Sequence, residues 1–288
     1  MAELDDWTCM YNGLVMGESD SPISIVAVDG LLTLPEIRSS DLTLVQRHGL
    51  YAGDDYMNGR TVTLTLEVYG STRTEFTDAL TAIQAAFMPG HEELPLTFRF
   101  PGVAADRTAY VMARPRKRSA PLDLNFASRV CNVLVELYST APYIFGDGQR
   151  TESVKSSVTA PPTEGLTFPA ALPWTIEGSS TPPPDPVRRF RQYGSVAARP
   201  LITITDCANP VLYDDATRKW FGVAHVGSVT IDSAAERVYS AQGADITGSV
   251  LSGATWPEYG PGDHRLRLVH GDPYTQATAA LTWQDRWV

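Results

Sequence analysis

The sequence predicts a mainly β protein: an N-terminal antiparallel β domain with one helix, followed by a C-terminal β-sandwich. The 288 residues include 22 glycines and 21 prolines, which imply many turns. Short runs of alternating apolar and polar residues recur along both halves of the chain. Only one segment has the apolar spacing of an amphipathic helix.

The N-terminal domain is predicted over residues 1–150. Its clearest strand is RTVTLTLEVY at residues 60–69, in which apolar and polar side chains alternate. The same alternation predicts strands around residues 96–100 and 129–138. A further strand is predicted at residues 110–113.

One helix is predicted over residues 72–88. Its apolar stripe consists of Phe76, Leu80, Ile83 and Phe87. Thr72 and Glu75 have the spacing of a capping box, in which each side chain satisfies an exposed amide of the first turn. Pro89-Gly90 then ends the helix.

The second half of the chain begins with a Pro-rich segment. Residues 151–198 are predicted to be a connector that includes the first strands of the second domain, because proline cannot donate to a central strand ladder. Within it, the short apolar run at residues 165–169 is expected to dock on a domain. Over residues 199–288, strand-sized runs recur about every 10 residues, which is typical of an antiparallel sandwich.

Composition excludes several classes of protein. The net charge of −10 makes nucleic-acid binding through phosphate neutralisation a poor default. No apolar run is long enough for a membrane-spanning helix, and the N-terminus MAELDDW has no signal-peptide core, so we expect synthesis in a reducing cytoplasm. Cys9, Cys131 and Cys207 are interpreted as small buried apolar residues.

No catalytic signature is present, and we predict no enzyme, no cofactor and no metal site. The nucleophile elbow, the phosphate-binding loop and the dinucleotide fingerprint are all missing. His91-Glu92-Glu93 begins like a zinc-binding helix, but Pro95 stands where the second histidine would be. His264 and His270 are predicted to be surface histidines.

The most localised charge feature is the basic run formed by Arg114, Arg116, Lys117 and Arg118. One interpretation is a solvated hairpin tip. The other is a loop that contacts an acidic partner, where the repulsion between these cations would be relieved. Five of the six tryptophans lie in the second half, where core packing competes with sugar stacking as their role.

The order of several motifs resembles the distal tail proteins of long, non-contractile-tailed bacteriophages, including minor tail proteins of actinobacterial phages. The similarity of pattern spans nearly the whole chain, and the order of the motifs carries it. The motifs are Gly49, Tyr56, Gly59-Arg60, Tyr69-Gly70, STAPYIFGD at 139–147, the run at 165–169, Val229 to Asp232, Arg237 to Tyr239, Ser252 to Trp256, Tyr259 to Asp263 and Leu281 to Trp283.

This resemblance implies a structural virion protein at the tail tip, assembled in the host cytoplasm. In that family the N-terminal domain forms a six-membered ring that continues the tail tube, and the C-terminal domain is a galectin-like β-sandwich. The resemblance therefore implies a homo-oligomer, which is a hexamer in the family. The other expected partners are the tail tube protein, and tip or baseplate hub and receptor-binding proteins. DNA would only pass through the ring, and no membrane is involved.

Two departures and two alternatives accompany this resemblance. His264 stands where the family often has asparagine, and residues 178–193 are longer than a minimal connector. A carbohydrate-binding module for host-surface glycans is the main alternative function. A hydrolase is the other, although no convergent acids or metal ligands support it.

Overall fold

The structure is a computed structural model that describes residues 4–44, 46–158 and 186–288. The chain divides into two compact units. Unit 1 comprises Met1–Gly148, Gly194–Val196 and Arg286–Val288, and unit 2 comprises Gln149–Tyr193 and Ala197–Asp285. The predicted apolar run at 165–169, Trp174 and most of the Pro-rich connector lie outside the described residues.

Unit 1 is built mainly from antiparallel strands. Its strands are β1 (Thr8–Tyr11), β2 (Leu14–Met16), β3 (Ile23–Asp29), β4 (Ile37–Ser39), β5 (Leu42–Thr43), β6 (Leu50–Tyr51), β7 (Asp55–Met57), β8 (Arg60–Tyr69), β9 (Leu94–Arg99), β10 (Ala109–Ser119), β11 (Val130–Ser139) and β12 (Ile144–Gly146), with β22 (Arg286–Trp287) at the chain end. Its helices are α1 (Arg73–Ala86) and the single turn α2 (Leu124–Ala127).

The main sheet of unit 1 has the strand order β2-β1-β9-β10-β11-β8-β3, and β12 links β10 to β22. On β8 the alternation acts as predicted: Val62, Leu64, Leu66 and Val68 are fully buried. Helix α1 covers this apolar face, with Phe76 and Ile83 in the same core. Thr72 is the N-cap of α1 and forms the predicted capping box with Glu75.

Unit 2 consists of two antiparallel sheets that share one apolar core. Its strands are β13 (Arg150–Lys155), β14 (Val187–Gln192), β15 (Leu201–Thr205), β16 (Val211–Asp214), β17 (Lys219–Gly222), β18 (Val229–Asp232), β19 (Arg237–Ser240), β20 (Gly262–Val269) and β21 (Thr278–Trp283). One sheet has the order β13-β21-β15-β18-β19, and the other has the order β14-β20-β16-β17. Ile202 and Leu281 of the first sheet pack in the same cluster as Leu212 and Leu266 of the second.

The predicted fold class is confirmed: the chain is mainly β, with a helix-bearing antiparallel sheet first and a two-sheet region second. Among the residues that the structure describes, no helix combines the length and apolar character needed to cross a membrane. All three cysteines are buried and unpaired, as expected.

Candidate functional site

The basic run does not form the predicted loop. Arg114 to Arg118 belong to strand β10, which continues to pair with β11 up to Ser119. The register shifts between Pro115 and Lys117, so the proline lies at a β-bulge, one of the few places where a strand accepts it. The prediction of a loop was wrong because proline and clustered charge were interpreted as turn signals.

Two of the four cations bind main-chain groups within unit 1. The Arg118 guanidinium donates a hydrogen bond of 2.8 Å to the carbonyl oxygen of Gln84, in the last turn of α1. The carbonyls of a last turn lack helical partners and carry partial negative charge, so a cation there stabilises the helix end. Arg114 donates to the carbonyl oxygen of His91 at 3.4 Å, in the segment that follows the helix.

The other two cations, Arg116 and Lys117, are exposed and bind no main-chain group in the described part of the chain. The guanidinium of Arg116 lies over the ring of Tyr138, 5.3 Å from its centroid, which is a cation–π contact. Lys117 pairs in register with Glu136, and its neighbour Arg118 pairs with the core residue Val135. The run is therefore divided between the two faces of the strand and is not one patch. Contact of these residues with a partner stays a prediction.

A second feature of unit 1, which the sequence did not indicate, is an arm formed by residues 31–44 and 46–58. It contains two small hairpins, β4 with β7 and β5 with β6. Beyond Leu31, which is buried at its base, eight large apolar side chains of the arm are exposed: Leu32, Leu34, Ile37, Leu42, Leu44, Leu50, Tyr51 and Tyr56. Exposed apolar groups in such a concentration mark interaction sites in soluble proteins.

The base of the arm is fixed by a buried arginine. Arg60 is only 1% exposed, and its guanidinium donates hydrogen bonds to the carbonyl oxygens of Gly30, Leu31, Thr33 and Pro142. Its Nη2 is buried with no hydrogen-bond partner in the described part of the chain. Burial lowers the pKa of the Arg60 guanidinium from its ordinary value, because water no longer solvates the charge.

Gly30 completes this base. Its φ of +89° is a conformation that residues with a side chain rarely adopt, and a Cβ there would lie 1.9 Å from the carbonyl oxygen of Thr61. The chain therefore leaves β3 through a turn that glycine alone permits. The arm is exposed along its length but anchored at its origin.

In unit 2, His264 is buried, so the prediction of a surface histidine was wrong. Its Nδ1 lies 2.9 Å from Oδ2 of Asp214 on β16, and its Nε2 lies 2.8 Å from the carbonyl oxygen of Gly260. Both neighbours can accept hydrogen bonds, so the charged imidazole, which has a proton on each ring nitrogen, is the form that satisfies both contacts. The signal that sequence analysis lacked is Asp214, which is 50 residues away in the chain.

The pKa values of this pair shift in opposite directions. Burial lowers the pKa of His264, but the hydrogen bonds to Asp214 and Gly260 outweigh it and raise the pKa above its ordinary value. For Asp214, burial raises the pKa, but hydrogen bonds from His264, Thr217 and Ala216 outweigh it and lower the pKa. The two side chains form a buried pair in the core of unit 2. His264 lies on β20, whose alternate side chains face inward.

The candidate site for sugar stacking in unit 2 is the cleft beside the ring of Trp256. This ring packs on Phe221, with the centroids 4.8 Å apart, so one face is occupied by the core. Beside it lies a cleft of about 290 Å³ lined by polar residues that include Arg199, Ser233 and Glu258. The Ser233 hydroxyl is buried and has no hydrogen-bond partner among the described residues.

Among the residues that the structure describes, neither a metal-binding group nor a readily ionised thiol is found. Within residues 4–44, 46–158 and 186–288, no three His, Cys, Asp or Glu residues are placed to hold a metal ion. Burial raises the pKa of the Cys9 thiol to about 12 and that of Cys207 to about 11, so neither forms a thiolate nucleophile at neutral pH.

Comparison with known proteins finds a likeness in structure. No protein-family model and no curated protein matches the sequence. The crystal structure of the Dit protein of phage SPP1, described as a paradigm of the hub of the adsorption apparatus in phages that infect Gram-positive bacteria, aligns with a TM-score of 0.58 and 16% identity. The alignment covers 96% of this chain and 98% of that chain. The two chains share a fold.

Two further matches come from the baseplate of phage P2 in its activated conformation. The form with calcium aligns with a TM-score of 0.40 and 9% identity over 96% of this chain and 97% of that chain. The form with strontium aligns with a TM-score of 0.42 and 9% identity over 96% of each chain. These two TM-scores are too low to support a conclusion about the fold or the function of this chain.

Proposed function

We propose that this chain is a structural virion protein that forms the hub at the distal end of a phage tail. The observation that carries the proposal is the shared fold with the SPP1 Dit protein, which extends over nearly the full length of both chains. Shared fold alone does not transfer function. The order of the sequence motifs, which resembles that of distal tail proteins, is independent support.

The hub would be a ring of six copies, joined through unit 1. A closed ring needs a contact between two different surfaces of the chain, repeated until the rotation closes. The exposed apolar arm supplies one such surface, because its leucines and tyrosines have no core of their own.

The ring would link the tail tube protein to tip or baseplate hub proteins and receptor-binding proteins. DNA would only pass through its centre. The net charge of −10 supports this role, because an acidic protein does not hold a polyanion by electrostatic attraction. The protein would be assembled in the host cytoplasm and carried at the tail tip of the virion.

Negative-stain electron microscopy of the purified protein tests the proposal. We expect six-membered rings with a central hole, whose mass by light scattering is that of six chains. A protein that remains monomeric at every concentration examined, or that assembles through unit 2, would contradict it.

A carbohydrate-binding module is the second candidate, favoured by the cleft beside Trp256. The exposed ion pair of Arg199 with Glu258, 3.4 Å apart in the wall of this cleft, could contact sugar hydroxyl groups there. A glycan array probed with the full chain tests this function. Binding that is lost in a Glu258→Ala variant would support it, and an array without signal would contradict it.

A further inference from the structure

We propose that the arm tip of one copy, residues 42–44 and 46–51, binds a groove along helix α1 of the next copy. This inference rests on the proposed ring, for which it supplies the two contacting surfaces. It commits to a second copy of this chain as the occupant of the groove.

The arm tip is apolar and basic. Leu42 is 67% exposed, Leu50 is 59% exposed and Tyr51 is 68% exposed. Between the two short strands lie Arg47 and His48, and residues 42–51 contain no acid. In a chain with a net charge of −10, a segment of this composition is suited to an acidic and partly apolar surface.

The groove along α1 has that composition. Two adjoining cavities, of about 600 and 280 Å³, share Leu14 of β2 and Ala82 of α1 in their walls. The larger one also has Pro22 and Ile23 in its wall, together with the acids Glu75 and Asp78. Glu75 is already engaged in the capping box, but Asp78 has no ion-pair partner in the described part of the chain.

The dimensions of the two surfaces agree. Helix α1 has 14 residues, so the groove beside it is about 21 Å long at 1.5 Å per residue. The two limbs of the tip, residues 42–44 and 48–51, extend about 10 to 13 Å each, with about 5 Å between them. The tip is therefore short enough to lie lengthwise against the helix, with Leu42 and Tyr51 available for the apolar wall.

Within one protomer, neither the arm tip nor the groove along α1 is covered by other described residues. The tip side chains are exposed, while the groove is open to solvent in the same protomer. Since the arm is anchored at Arg60 and Gly30, it is held in a defined direction before it binds. A pre-organised element loses less conformational entropy on association, which favours contact with a neighbouring copy.

Cysteine cross-linking between chains tests the contact. One preparation carries His48→Cys and a second carries Asp78→Cys. The three native cysteines are buried and do not compete. After mixing under conditions that form rings, a short bifunctional maleimide should join the two chains into a covalent dimer. Neither preparation alone should give this product.

The matched control replaces Asp78→Cys by Glu67→Cys. Glu67 is exposed on the face of β8 opposite to the side chains that pack on α1, so it should not react with residue 48. Cross-linking to position 67 with the same yield as to position 78 would contradict the inference.

Charge reversal gives a second, independent measurement. Arg47→Glu or Asp78→Arg alone should weaken ring formation by about tenfold, because each places like charges in contact. The double variant should recover assembly. Both side chains are exposed, so below the concentration at which rings form the thermal midpoint of each variant should equal that of the wild type.

The outcomes separate the two proposals. Rings that form without a cross-link between positions 48 and 78, and without rescue by the double variant, overturn the arm contact while the hub remains. Absence of any ring in the wild-type protein overturns the hub and the contact together.

Discussion

Arg60 in unit 1 and His264 in unit 2 are both buried cations, but the chain holds them in different ways. Arg60 is surrounded by carbonyl oxygens and has no acidic partner among its hydrogen bonds. His264 is paired with Asp214 and a single carbonyl oxygen. The guanidinium cannot lose its proton in a protein, whereas the imidazole can. The first cation is therefore a permanent clamp, and the second depends on pH.

This difference predicts the largest effect at Arg60. Arg60→Ala leaves the carbonyl oxygens of Leu31, Thr33 and Pro142 without their donor in a buried site. We expect a loss of about 4 kcal/mol in the free energy of unfolding, as for other buried charged networks. Urea denaturation of the full chain measures it.

Arg73→Ala is the control for this variant, since Arg73 is exposed at the start of α1. It should change the free energy of unfolding by less than about 0.5 kcal/mol. If Arg60→Ala were no less stable than Arg73→Ala, the clamp would have no energetic role.

The second prediction concerns the pH dependence of stability. The pKa of His264 is raised in the folded chain, so its ion pair contributes stability that is fully present below the unfolded value of about 6.5. That contribution is lost as the pH rises through the folded pKa. Asp263 also favours the charged imidazole, and Tyr259 packs against its ring.

Thermal midpoints between about pH 6 and about pH 9 check this prediction. The midpoint of the wild type should fall across this range more steeply than that of His264→Gln, which has no titrating ring. In the acid range the sign reverses, because the lowered pKa of Asp214 makes its contribution disappear as the pH falls through that value. Parallel curves for both proteins would show that the pKa of His264 does not change on folding, which would contradict the prediction.

How far sequence could predict these features depends on whether the signal is local. The α1 capping box and the alternation of β8 lie within ten residues, and both are observed as predicted. The partner of His264 is 50 residues distant, and the carbonyl groups around Arg60 come from segments up to 82 residues away. The arm escaped prediction because its side chains face no core, so no alternation marks its strands.

A smaller effect is expected in the basic run, where adjacent residues have different roles. Arg118→Ala removes the hydrogen bond to Gln84 at the end of α1 and should cost about 1 kcal/mol. Lys117→Ala is the matched control and should stay within about 0.5 kcal/mol of the wild type. Urea denaturation compares the two variants. Equal stability of both would mean that the helix end needs no cation.

The smallest expected effect is an absence of galactoside binding by unit 2. Galectins hold galactosides with a strand that bears His-x-Asn-x-Arg, and the comparable positions on β20 are His264, Leu266 and Leu268. His264 is 4% exposed and bound to Asp214, while Leu266 and Leu268 are 0% and 1% exposed in the core. This strand therefore turns no donor or acceptor toward a sugar from those positions.

Isothermal titration of the full chain with lactose and related galactosides should show no heat of binding. Each hydrogen bond that a buried sugar hydroxyl fails to form costs about 1–3 kcal/mol, which is enough to abolish a weak glycan contact. Stacking on the free face of Trp256 does not compensate, because it cannot replace the missing hydrogen bonds to the sugar hydroxyl groups. Binding that disappears in Trp256→Ala would overturn this prediction and support the carbohydrate-binding alternative.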